Sequence, residues 1–266
     1  MRVRVRFAKL GKLCWTSHRD VARMWERAVR RAGLGLVYTE GFSPRPKISF
    51  GLALPTGHQS VAEYLDLELA QPVGAHLGRE AAPEVQLAWP AAPEAQPIAG
   101  PEDLVDLLGP ALPDGMDVLA AGSVEAGTRS LQEEVTSCSW QIELVGLDRM
   151  PATDLVETAM AAKHLSVVRE RKGRPTTDDI RPALRSLTVF NEDSSMSGPK
   201  INAVLYAELL TQPRGVRPSE LIRAIAPELE LGRVWRTHQW IERDGARREP
   251  LPLGPPDAPH AYERAS

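Results

Sequence analysis

Apolar residues recur with two different periods along this chain, and the changes between them mark out the elements. Val3, Val5 and Phe7 alternate with Arg2, Arg4 and Arg6, which predicts a strand with an apolar inner face and a basic outer face. From Ser17 the period lengthens. Val21, Met24, Trp25, Ala28, Val29 and Ala32 recur three and four residues apart, while Arg19, Arg23, Arg27 and Arg30 form a second stripe, the pattern of an amphipathic helix over about 17–32. Ser17 with Asp20 three residues on is a near-capping-box start, and Gly33 supplies the stop. Alternation returns near 36–38, again at Ile48, Phe50, Leu52 and Leu54, and over 61–69. Between 70 and 100 the pattern dissolves into Ala, Pro, Glu and Gln, so no element is predicted there. Leu104, Leu107, Leu108 and Leu112 then have helical spacing, and 117–124 reads as a strand.

The same element order recurs. A short helix or turn at 131–135 precedes a strand marked by Trp140, Ile142, Leu144 and Leu147. A helix over 152–163, a strand over 165–171, strands over 184–190 and 201–210 joined across 191–200, a helix over 218–226 and a strand over 233–241 follow. Strand, helix, strand, strand, helix, strand is the split βαβ order. The expected fold is therefore α+β, with two ferredoxin-like (split βαβ) units and antiparallel sheets. The first covers 1–127 and carries an Ala/Pro-rich insertion near 71–101; the second covers 128–243. Residues 244–266, rich in Pro, Gly, Ala and charge, are expected to be a disordered tail.

Composition narrows the function classes. The 266 residues are 42% hydrophobic, enough for one large core or two small ones, and no apolar run approaches the roughly 20 residues that span a bilayer. The N-terminus interrupts its apolar residues with arginines, unlike a secretory signal, so the expected location is cytoplasmic with no membrane partner. Cys14 and Cys138 are the only cysteines, which excludes an iron–sulfur cluster ligated by three or four cysteines of this chain. The six histidines lack HxH or HxxxH spacing, and no P-loop, GxGxxG turn or GxSxG is present. No cofactor and no metal are the resulting expectations, and no cluster, metal or nucleotide motif points to a reaction of its own. The net charge of −3 conceals an asymmetry: residues 1–47 hold twelve Lys/Arg against three Asp/Glu, about +9, and the remainder is about −12. A cationic field confined to one end favours an anionic partner there.

Several runs resemble a known family. Ser17-His-Arg-Asp20, Glu26-Arg-Ala-Val-Arg-Arg-Ala-Gly33 and Glu40-Gly-Phe-Ser-Pro-Arg-Pro-Lys-Ile-Ser-Phe-Gly51 look like a bacterial family of radical-SAM-linked domains of unknown function. Leu54-Pro-Thr-Gly57 and Glu63-Tyr-Leu-Asp66 continue the likeness, and Asp179-Ile-Arg-Pro182 extends it more weakly. Members often occur fused to, or encoded beside, a radical S-adenosylmethionine protein. The resemblance thus implies a radical SAM protein as partner and names no reaction.

Two groups of residues are candidates for contact with RNA. Arg19, Arg23 and Arg27 lie on one helix face, and Arg45 and Lys47 lie in a segment stiffened by Pro44 and Pro46, a cationic arrangement suited to phosphates. Phe42 and Tyr38 are nearby aromatics for stacking bases, against the ordinary role of aromatics as core. The second group runs from Arg169 through Arg171, Lys172 and Arg174 to Asp178, Asp179 and Arg181, around a turn at Gly173 and Pro175. Its competing reading is structural, with Asp179 and Arg181 as an ion pair or a polar cap. For the first group it is a solvated basic helix. The sequence-level reading is an RNA-binding accessory protein working with a radical SAM or other RNA-modifying or processing enzyme. One alternative is a metal-independent endoribonuclease using His18 as general acid or base, by fold-level analogy with CRISPR repeat-processing endoribonucleases. Another is a protein-binding scaffold that takes no nucleic acid.

Overall fold

The computed structural model describes residues 1–70, 100–171, 173–190 and 202–251. They form a mixed α+β protein of mostly antiparallel strands and few helices. Its described residues divide into two compact units, one comprising 1–57, 62–70, 100–133 and 251, the other 58–61, 134–171, 173–190 and 202–250.

The first unit runs β1 (Arg2–Lys9), α1 (His18–Arg31), β2 (Ile48–Phe50), β3 (Gln59–Glu68), α2 (Asp103–Leu108) and β4 (Val118–Ser123). Its strands lie in the order β4-β1-β3, with β2 paired to β3. Val3 faces Ser123 across the antiparallel β1–β4 ladder, and Ile48 faces Leu67 across β2–β3. Val3, Val5, Phe7, Leu65 and Leu67 share one core with Val21, Trp25, Ala28 and Val29 of α1 and Leu104 and Leu108 of α2. Trp25 is fully buried and meets Phe7 edge to face at 5.0 Å.

The opposite face of β1 is not the basic outer surface that alternation predicts. Arg4 is 4% and Arg6 1% exposed. Arg4 makes a bidentate pair with Asp66, Nε to Oδ1 at 2.8 Å and Nη2 to Oδ2 at 3.0 Å, and the Arg6 guanidinium lies 5.7 Å from the Tyr64 ring centroid. A second apolar cluster, Ala62, Tyr64 and Leu131 with Leu251 against it, accompanies this face. Both faces of the strand are therefore covered, and the carboxylate that makes burial of Arg4 tolerable is 62 residues away in sequence. The single turn α3 (Leu131–Glu134) is started by Ser130, whose Oγ donates to Glu133, and its Leu131 belongs to this second cluster.

The second unit runs β5 (Ser137–Leu144), α4 (Arg149–Ala161), β6 (Ser166–Arg171), β7 (Arg174–Asp179), β8 (Leu184–Val189), β9 (Ala203–Leu210), α5 (Pro218–Ile225), β10 (Leu231–Arg243) and β11 (Ala246–Arg248). Here the order is β10-β5-β9-β8, antiparallel throughout, while β6 and β7 pair only with each other. Gln59 and Ser60, which begin β3 and belong to this unit, pair in parallel with Trp235 and Arg236. Ile142, Leu144, Leu187, Leu205 and Leu209 are buried on the strands, as are Val156 and Ala159 on α4 and Leu221 and Ile222 on α5.

Two expectations change here. Pro175, read as turn, lies within β7, opposite Glu170; a two-stranded hairpin leaves it on an edge that needs no further donor. Asp244 to Arg248, expected in a disordered tail, continue the sheet instead: Asp244 and Gly245 have φ of 52° and 76°, a type I′-like turn that folds β11 back on β10 with Glu242 opposite Arg247. Residues 252–266, 191–200 and 71–99, which carry the rest of the predicted tail, the turn and most of the insertion, lie outside the described residues.

Candidate nucleic-acid interface

Helix α1 is fixed at both ends by local chemistry. Ser17 is the N-cap, accepting from the Asp20 N–H and donating its hydroxyl to the Asp20 carboxylate at 2.7 Å. That hydroxyl, with nearby Arg23 and Arg19, holds the Asp20 carboxyl below its ordinary pKa. At the other end Gly33, at φ 67°, donates to Arg30 O and Leu34 to Val29 O, the paired bonds of a Schellman stop. The apolar face is buried, so the opposite face is committed to solvent, and Arg19, Arg23 and Arg27 are all exposed on it. Their four-residue spacing sets them about 6 Å apart along the axis. Arg23 makes an exposed 3.6 Å pair with Asp20, of the kind that contributes little. Among the described residues no hydrogen bond or ion pair engages the guanidinium of Arg19 or Arg27.

The segment that follows is a hairpin-like loop rather than a free extended strand. Tyr38 bridges Pro46, Thr39 N–H donates to Arg45 O at 2.9 Å, Arg45 N–H to Thr39 Oγ1 at 3.0 Å, and Lys47 N–H to Val37 O at 2.8 Å. Gly41, at φ 123°, makes the tip possible. Arg45 is exposed, whereas Lys47 Nζ is 3.3 Å from the Glu68 carboxylate and its charge is offset. Both aromatics point outward: Tyr38 is 52% exposed and Phe42 fully so. The loop leaves from the Schellman stop of α1 and returns at Phe50, whose ring meets His18 at 5.1 Å.

His18, the first residue of α1, is exposed and lines a cavity of about 20 Å³ with Lys9, Phe50, Gly51, Glu63 and Tyr64. That is room for about one water. Lys9 is buried and donates to Thr16 O at 2.9 Å, so it serves the turn that leads into α1.

The second candidate group is dispersed. Arg174 is exposed beside Gly173, which turns the β6–β7 hairpin at φ 74°. Lys172 and the Arg171 side chain lie outside the described residues. Arg181 is committed to structure: its guanidinium donates to Met160 O, Ala162 O and Leu184 O, capping the C-terminus of α4. Asp179 accepts from Leu165 N–H and Arg181 N–H and bonds His164 Nδ1 at 2.8 Å. The His164 bond, followed by the two backbone donors, lowers its pKa to about 2.

Beside it lies a polar network that the sequence reading did not assemble. Arg169 grips Glu220 with bonds of 2.6 and 2.8 Å and reaches Gly215 O, while Asp178 accepts from Arg214 at 2.6 Å. Burial alone would raise the Glu220 carboxyl; Arg169 and the Arg217 N–H outweigh it and leave the group below its ordinary value. The network borders a cavity of about 210 Å³ lined by Gln212, Pro213 and Val216. Arg217 followed by Glu220, at a helix start led by Pro218, is the local signal that places Glu220.

Among the described residues no three His, Cys, Asp or Glu side chains group as a metal would require, and no helix is long and apolar enough to cross a membrane. The model of a family described as "uncharacterized protein conserved in bacteria (DUF2344)" matches residues 2–85 and 94–218. No curated protein matches. Among solved structures, similarity is found to a chain of the crystal structure of a Cbf5-Nop10-Gar1 complex, at 9% identity and a TM-score of 0.43. The match covers 89% of this chain and 48% of that one, so this chain spans about half the length of the chain it matches.

Proposed function

We propose, for a chain that belongs to this uncharacterized bacterial family, that it is an RNA-binding accessory protein whose first unit holds the phosphate backbone. The observation that carries the reading is the stripe Arg19, Arg23 and Arg27: three exposed guanidinium groups on a rigid helix, at a spacing comparable to that of successive phosphates, in a chain whose remainder is acidic. Arg45, on the loop that follows the helix, is a further exposed cation. The ferredoxin-like description of each unit belongs to the same proposal. It is supported by the strand orders β4-β1-β3-β2 and β10-β5-β9-β8, each being the fourth, first, third and second strand of its βαββαβ set once the β6–β7 hairpin is set aside. Sheets of this class are common RNA platforms.

The enzyme it serves is, in this proposal, a cytoplasmic radical SAM protein or another RNA-modifying or processing enzyme, a link that rests on the resemblance of the runs around Asp20, Gly33 and Gly51. Two cysteines cannot hold the cluster, so that chemistry belongs to the partner. Cleavage by His18 is the weaker reading, because it rests on fold-level analogy alone. Anisotropy with labelled RNA tests the proposal: Arg23→Glu weakens binding, and Arg223→Glu on α5 leaves it unchanged. Equal loss in both variants, or acidic proteins captured in place of RNA, refutes it. Cleaved RNA that survives as intact RNA with His18→Ala would restore the nuclease reading.

A further inference from the structure

We propose that the loop carrying Tyr38 and Phe42 is a base-stacking element, so that the RNA taken by the first unit is single-stranded where it crosses this loop; the inference rests on the RNA-binding reading. Phe7, Phe50 and Phe190 each meet another ring at 5.0 to 5.1 Å. Among the described residues Phe42 has no such partner and is fully exposed. An apolar ring held in water at a loop tip forgoes the burial that stabilises the other three, and that loss is recovered only when something covers it.

The loop is built to hold the ring out. Three hydrogen bonds across its base, Thr39 N–H to Arg45 O, Arg45 N–H to Thr39 Oγ1 and Lys47 N–H to Val37 O, close the hairpin, and Pro44 and Pro46 remove backbone freedom. Ordering a stacking residue therefore costs little on binding. Both ends of the loop are fastened to α1, through the Schellman stop at Leu34 and the His18–Phe50 contact, so the aromatics and the arginine stripe belong to one rigid element.

Charge favours a nucleobase over an apolar protein pocket as occupant. The exposed charged side chains of the loop around Phe42 are Glu40 and Arg45, which balance, and the preceding helix adds Arg19, Arg23 and Arg27. Rings interleaved with cations on one element suit a strand whose phosphates meet the cations and whose unpaired bases meet the rings. A duplex presents no base face to Phe42.

The experiment compares a single-stranded oligoribonucleotide with its perfect duplex, using wild type, Phe42→Ala, Phe42→Trp and the double reversal Arg19→Glu/Arg23→Glu. Phe42→Ala should weaken single-strand binding about 5- to 150-fold, the range of one lost stack, with an unchanged salt slope and no effect on the duplex. Phe42→Trp should restore it, and 2-aminopurine in the single strand should be quenched by wild type and Phe42→Trp but not by Phe42→Ala. If Phe42→Ala binds the single strand like wild type while the arginine reversal does not, or if it weakens both RNAs equally, the stacking inference is overturned and the basic stripe stands. If wild type binds neither RNA, both readings fail.

Discussion

Arg4→Met tests whether the buried cation of β1 is an ion pair integral to the first unit. The substitution keeps an apolar stem of similar length and leaves the Asp66 carboxylate, only 4% exposed, with Arg2 as its neighbour. Removing one partner of a buried pair costs about 3–5 kcal/mol. Arg2 Nε is already 3.7 Å from Asp66 and 28% exposed, so part of the attraction survives and the lower end, about 3 kcal/mol, is expected. At 1.36 kcal/mol per factor of ten this is about 150-fold faster hydrogen exchange for the protected amides of β1 and β3. Exchange read by mass spectrometry on peptides from β1 and β3, with β8 and β9 peptides as reference, resolves a change of that size. The double variant Arg4→Met/Asp66→Asn removes both charges and should recover to within about 1 kcal/mol of wild type. A single variant that changes exchange less than about fivefold, or a double variant as labile as the single, would refute the assignment of this strand face as a closed ionic layer.

Three further outcomes follow from the geometry. Asp179 should titrate near pH 2 by carboxyl NMR. Because its folded pKa lies below the ordinary carboxylate value of about 3.9, its stabilising contribution is present above that value and is lost as pH falls through about 2, and Asp179→Asn should abolish this acid-range dependence. Gly115→Ala places a Cβ 2.8 Å from Leu10 O at a φ of 85° and should destabilise by more than about 1 kcal/mol, whereas Gly127→Ala, at φ 81° with open space around it, carries the backbone strain alone; thermal melts of the pair should rank them in that order. Arg181→Ala uncaps the carbonyls of Met160 and Ala162 and should speed amide exchange at the end of α4 while leaving RNA affinity unchanged.

Local chemistry explains which parts of this fold can be read from the chain. The limits of α1 follow from Ser17, Asp20 and Gly33, whose capping bonds span only a few residues. The hairpin at Asp244-Gly245 carried an equally local signal, obscured by the Pro- and charge-rich composition around it. The burial of Arg4 and Arg6 had none: alternation is the same whether the second face meets water or Asp66 and Tyr64. Arg181 shows the same limit at the candidate site, since a cation near a turn reads alike whether it faces solvent or caps carbonyls about twenty residues earlier. The stripe on α1 is legible because helical spacing alone separates its arginines from the buried Val21, Trp25 and Val29.

The slope of log affinity against log salt, measured with a single-stranded oligoribonucleotide, tests the central claim most directly. Lys47 is half-buried beside Glu68, and the exposed cations Arg19, Arg23, Arg27 and Arg45 are counted as phosphate contacts. At about 0.7 per contact the slope should be about −2.8, and reversing Arg23 and Arg45 to Glu should leave about −1.4. An affinity indifferent to salt, or a slope that survives the reversal, would contradict the account and leave α1 as a solvated basic helix.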